Sequence, residues 1–331
     1  MFKRLLFIVL FAFLQSCGND DCKVNETVSG IPVNVEITRL EDTMFSLQSP
    51  EEMRDFLNDN PIMTIHFLSS DQYPDDSILI NNLFRRINDP HIDTLLREVR
   101  QVFTDMDDLK MELETALKHL ISYYPAARIP KIQTMVTGFG SSELYVSDSL
   151  IIIGLDYYVG PGATYRPIEI PNYILKRYQK EYIVPAIFLL LANKYVKEDY
   201  SDRTMLADMV YYGKKYEFTK SMMPCISDSL IIWYTNQQLT DVNENEDIIW
   251  ANFVANQLIF QTNHFTKTKY MDERPAVFEI GDKCPGRIGA WLGWQIIRSY
   301  RDKNPDIRLQ QMMETKSATE IFNNSGYKPN R

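Results

Sequence analysis

The chain has 331 residues, 45% hydrophobic and 24% charged, with a formal net charge of −9. That composition belongs to a folded globular protein. Its acidic balance gives no electrostatic support for nucleic-acid binding, which depends on cations set against phosphates. Low-complexity tracts and internal repeats are absent, so linker-like and solenoid architectures are excluded.

The first element is a leader. Lys3 and Arg4 precede an apolar run from Leu5 to Leu14, and the chain turns polar and acidic after Cys17. A bilayer-spanning helix takes roughly 20 apolar residues, so this run has the size of a secretory signal instead. Leu14-Gln15-Ser16-Cys17 has the L-x-x-C form of a bacterial lipobox, in which the cysteine is acylated and the leader, here 1–16, is removed. Two or more acyl chains hold a protein stably on a membrane. The expectation is a lipoprotein bearing palmitate-like chains on Cys17, a tether over 17–30 and a single globular domain over 31–331. It sits in the cell envelope, with the outer membrane the expected one; Asp20 and Asp21 bear on sorting without settling the face. Outside the cytoplasm disulfides persist, and with Cys22 in the tether, Cys225 and Cys284 form the candidate pair.

"VNVEITRL" (33–40) alternates as a strand does. Ser49-Pro50-Glu51-Glu52 has the hydroxyl, proline and acids of a helix start. Helical spacing prevails from about 74 to 123, with "HIDTLLREVRQVF" (91–103) and "MDDLKMELETALKHLISYY" (106–124) the clearest runs. β-Branched and aromatic residues then predict strands over 131–139 and 143–160, with Asp148-Ser149 as a hairpin turn. A loop at 160–167 leads to helices over about 172–198, 203–222 and 245–260, and to a C-terminal pair that begins at 285. Ser317 and Glu320 have capping-box spacing, and Gly326 suits the position past that last helix. Helices, then a small antiparallel sheet or hairpin, then helices define a mainly helical α+β fold.

Chemistry-bearing motifs are sparse. His66, His91, His119 and His264 stand at no metal-ligand spacing, and nucleophile elbows, phosphate loops, H-E-x-x-H and C-x-x-C are absent. Asp107-Asp108 and Glu244 with Glu246 read as solvated acids. Gly286, Gly289 and Gly293 recur at three- and four-residue steps. Glycine within a helix costs about 1 kcal/mol against alanine, so the series predicts close packing on another backbone, or a helix lining a cleft with Arg287 at its mouth.

The lipobox, "IIIGLDYYVG" (151–160), "PGRIGAWLGWQIIRSYRDKNP" (285–305) and "EIFNNSGYKP" (320–329) together resemble the gliding-motility lipoprotein GldB family. The resemblance implies an envelope protein whose partners belong to motility or secretion machinery. That family is similar in turn to secreted H-E-x-x-H zinc peptidases, which implies a degenerate zincin-like fold. Placing their motif on 192–197 puts Asn193 and Lys197 where histidines would stand and Lys194 in place of the general base. Tyr212, before Gly213, then replaces the ligand glutamate. Zinc needs three protein ligands and an open position, and lysine ammoniums repel it.

The expectation is therefore a lipid-anchored, non-catalytic accessory protein with no cofactor or metal, acting through protein contacts and the membrane, without nucleic acid. Two alternatives stand beside it. One is a hydrolase built on Asp156, Tyr157 and Arg287; the other captures a peptide in the cleft, with the 143–159 strand as an edge for β-augmentation.

Overall fold

The most apolar short run, Leu150–Gly154, forms strand β4 at the centre of the molecule, and all five residues are buried. A strand buried on both faces reads as a continuous apolar run. Ile151 and Ile153 enter one hydrophobic cluster, and Leu150 and Ile152 enter another on the opposite side. The structure is a computed structural model that describes residues 26–168 and 170–329. The leader, Cys17 and Cys22 lie outside the described residues.

Three further strands complete the sheet: β1 (Ile37–Arg39), β2 (Lys131–Met135) and β3 (Leu144–Val146). Their order is β1-β2-β4-β3. The β3–β4 hairpin is antiparallel, with Leu144 opposite Ile153. Its turn closes through Ser147 N–H donating to the Leu150 carbonyl at 2.9 Å, around Asp148-Ser149. The sheet as a whole is mixed, not antiparallel throughout. β1 pairs with β2 in parallel through Ile37 and Ile132, and β2 pairs with β4 in parallel through Ile132 and Ile151. The hairpin accounts for the second parallel pair: β3 runs back, so β4 inserts beside β2 in β2's own direction. The first strand is also shorter than its alternation predicts. Val35 N–H donates to the Glu114 carboxylate at 3.0 Å, and Leu40 already begins a short helix, Leu40–Met44.

On one face lie Leu40–Met44, α1 (Pro50–Asp59), the turn Met63–Phe67 and α2 (Asp76–Ile87), supplying Met44, Met53, Phe56, Phe67 and Leu83. Ser49 caps α1 by accepting from Glu52 N–H at 3.1 Å. The larger cluster covers the other face. It contains α3 (Pro90–Val102), α4 (Asp107–Tyr123), α5 (Ile183–Tyr195), α6 (Met205–Met222), α7 (Ile288–Lys303) and α8 (Ala318–Ser325). The helix expected over 172–198 is broken. Asn172–Leu175 is one turn, and Gln179 leaves the helix to bridge to Val159, so the long helix begins at Ile183. At the chain's end Ser317 Oγ accepts from Glu320 N–H at 3.1 Å, and Gly326 takes the left-handed backbone (φ 50°) past α8.

The glycine series does what its spacing predicts. A Cβ on Gly293 would overlap the Met209 carbonyl of α6 and stand 2.9 Å from Met209 Cα. One on Gly213 would stand 2.8 Å from Trp294 N and nearer still to the Gly293 carbonyl. α6 and α7 therefore cross backbone to backbone. Gly289 presses on Met271, whereas Gly286 precedes the helix and abuts Arg274.

The expected Cys225–Cys284 bridge does not form: Cys225 is disulfide-bonded, whereas Cys284 is a free thiol. Cys284 Sγ is turned to the Pro285 carbonyl at 3.9 Å against the core, where burial pushes the thiol up to about 12. Among the described residues no helix is long and apolar enough to cross a membrane.

Candidate functional site

Sequence spacing already places Tyr212, Lys215 and Tyr216 on one face of α6, at i, i+3 and i+4. In the structure that face forms a wall of a cleft of about 430 Å³, opposite Ala186, Leu189 and Leu190 of α5. Ser142, Glu143 and Leu144, leading into edge strand β3, close a third side. Arg177, Trp233 and Arg287 close the fourth. The volume lies in the range of small-ligand and short-peptide sites.

The fourth side is a stack. The Arg177 and Arg287 guanidiniums each lie 4.1 Å from the Trp233 ring centroid. Such cation–π contacts are worth about 0.5–2 kcal/mol each, more as water is removed. Both arginines meet one carboxylate: Glu273 Oε2 is 2.5 Å from Arg177 Nη1 and 3.7 Å from Arg287 Nη2. Trp233 and Arg287 both hold left-handed backbone, at φ 66° and 62°. That conformation costs a non-glycine residue of order 1 kcal/mol or more, and such strain gathers at functional sites.

Three groups in the cleft are left wanting partners. Lys215 makes no ion pair among the described residues, and burial, then the nearby Arg287 charge, brings its ammonium down to about 8. The Tyr216 hydroxyl, in a residue only 1% exposed, sits beside Arg287 but makes no well-formed hydrogen bond among the described residues, and neither does the buried Trp233 indole N–H. A buried donor left unsatisfied costs roughly 1–3 kcal/mol. The cleft lining thus sets three cations against Glu143, with Glu273 holding both arginines from outside it and Glu198 acting on Lys215.

The other residues singled out by sequence are dispersed. Asn193 Oδ1 accepts from the Tyr211 hydroxyl at 2.9 Å, and Lys194 pairs with Asp148 at 2.5 Å across an exposed surface. Lys197 donates to the Lys194 carbonyl at 3.1 Å and is likewise exposed. Of the four peptidase-like positions only Tyr212 lines the cleft, because the face of α5 turned to it carries Ala186 and Leu190, a turn or more earlier. Asp156 and Tyr157 do not share the cavity of Arg287; they line a separate one of about 260 Å³. His66 stacks on Tyr145 with centroids 5.5 Å apart, and His91 Nδ1 meets the Tyr165 hydroxyl at 2.8 Å. His119 is buried in α4, where desolvation lowers its pKa, and His264 lies beside Phe265. Among the described residues no three His, Cys, Asp or Glu side chains are grouped to hold a metal ion.

Asp156 braces the loop that leads to β3. Its Oδ2 accepts from Phe139 N–H at 2.7 Å and Thr137 N–H at 3.2 Å, while its buried Oδ1 has no partner. Burial outweighs those donors and pushes the carboxyl up to about 6 from its ordinary 3.8. Between these values the folded chain binds more protons than the unfolded one, so stability falls as pH rises from about 4 to about 6. Asp156→Asn keeps an acceptor for both amides and removes the titration. The difference between wild-type and variant stability should change by on the order of 2–3 kcal/mol across that window and be flat above it. Denaturant titrations at pH 4, 5, 6 and 7 measure it; parallel curves would show that Asp156 does not titrate there.

No curated protein and no solved structure matches the chain. A family model described as gliding motility protein GldB does, over residues 21–329. With nearly the whole length covered, from the tether through the closing turn after α8, this chain belongs to the GldB gliding-motility family.

Proposed function

We propose that this GldB-family chain is a lipoprotein held at the cell envelope, in the outer membrane, by acyl chains on Cys17. There it serves motility or protein-export machinery as a non-catalytic accessory acting through protein contacts. The cleft between β3, α5 and α6 is the contact point in this reading. The observation that supports it is the cleft's lining of cations and aromatic rings with two donors left unpaired among the described residues, groups suited to holding a partner.

The cleft does not fit a catalytic zinc. Among its lining residues Glu143 is the single carboxylate, with no histidine or cysteine, and Arg177, Lys215 and Arg287 place like charge where the ion would sit. Capture of an extended peptide is the form of contact that the geometry favours, since β3 is the sheet's edge strand and its lead-in lines the cavity.

Anchoring is tested by Cys17→Ser. Acylation should be lost, the protein should leave the membrane fraction, and cells should lose gliding or secretion. A variant that remained membrane-bound and lipidated would refute the anchor.

A further inference from the structure

We propose that the cleft captures the C-terminal carboxylate of a peptide, with Lys215, Arg287 and the Tyr216 hydroxyl holding the carboxylate and the apolar wall of α5 receiving the last side chain. The inference rests on the binding role proposed above and names its ligand.

Charge sets the class. The lining carries three cations, Arg177, Lys215 and Arg287, and one carboxylate, Glu143, while Glu273 pairs with both arginines from outside the lining and Glu198 acts on Lys215. A carboxylate brings one negative charge beside these acids, whereas a phosphate monoester brings about 1.5–2 at neutral pH, so the carboxylate is the anion repelled less. The donors agree. Tyr216 lines the cavity almost completely buried, its hydroxyl set beside Arg287 without a well-formed hydrogen bond among the described residues, and the Trp233 N–H is likewise unpaired there. Lys215, drawn down to about 8 by burial and the Arg287 charge, is a cation that an incoming carboxylate stabilises.

Position sets the rest of the ligand. Ser142 to Leu144 lead into an edge strand, so a peptide backbone finds ladder partners beside the charged end. Leu189 and Leu190 offer apolar surface on the facing helix. Neither a free inorganic anion nor a small acid uses all three features.

The test uses the full chain in detergent with ¹⁵N-labelled tryptophan, following the Trp233 indole resonance, assigned with Trp233→Phe. The probes are N-acetylated tetrapeptides ending in Leu, Val or Phe, the same peptides as C-terminal amides, and inorganic phosphate. The free acids should shift the resonance saturably, with the amides at least about tenfold weaker. Tyr216→Phe should weaken the acids about tenfold or more while leaving thermal denaturation close to wild type, because the hydroxyl makes no well-formed hydrogen bond among the described residues. Equal binding of acids and amides, saturation by phosphate alone, no binding, or unaltered binding in Tyr216→Phe would each overturn the proposal. None of these outcomes bears on Cys17 anchoring, which its own variant decides.

Discussion

Gly293→Ala should lower the stability of this protein by about 3 kcal/mol or more, or prevent folding. Intrinsic propensity argues the other way, since alanine in a helix gains about 1 kcal/mol over glycine. Packing decides the sign. The new methyl group would occupy the Met209 carbonyl, and that carbonyl belongs to the α6 backbone, which has no rotamer by which to move aside. Separating the helices would also open the contact of Gly213 with the Gly293 carbonyl and loosen Trp291 and Trp294, both fully buried on α7. Gly162→Ala is the control, because no atom lies within 4 Å of its Cβ position. Denaturation midpoints measured at constant m-value report the difference. A Gly293→Ala midpoint at or above wild type would mean that α6 and α7 are not in backbone contact.

Glu217→Ala should cost about 3 kcal/mol and Glu217→Gln about 1. Glu217, on α6, is only 4% exposed. It accepts from the Trp294 indole N–H at 2.8 Å, pairs with Arg301 and lies 3.9 Å from Arg298. Alanine leaves the buried indole without an acceptor and opens a cavity beside it. Glutamine restores an acceptor for the indole, so only the ionic part is lost. That part is modest because Arg301 is 42% exposed and can turn to water, and because Arg298 retains Asp228 at 2.6 Å. Equal losses for the two substitutions would assign the effect to charge and not to the indole.

Local chemistry was the legible part of this fold. Ser49, Ser317 and Gly326 sit at helix ends because a hydroxyl or a missing Cβ solves a problem within a few residues. The Asp148-Ser149 turn and the close-packed glycines of α7 are equally local in their signal. The parallel strands were not legible, because Ile37 finds Ile132 across most of the N-terminal half and no neighbouring residue records that pairing. The same limit hid the cleft. Arg287 stood out beside the glycines, whereas Arg177 and Trp233 become its neighbours only when α5 to α7 assemble. Tyr212, Lys215 and Tyr216 did carry a helical-face signal, which the peptidase resemblance drew away toward Asn193, Lys194 and Lys197. The choice of Cys284 for Cys225 failed for the same reason, since thiol distance is a property of the assembled chain.

The proposed binding role requires a cleft that holds no catalytic metal. The most direct measurement is zinc content by mass spectrometry on the detergent-solubilised full chain, after incubation with excess zinc and desalting. The account predicts far less than one zinc per chain, since the lining offers one carboxylate against three cations. About one zinc per chain, reduced by substitution of Glu143 or Tyr212, would contradict it and place a metal site in the cleft.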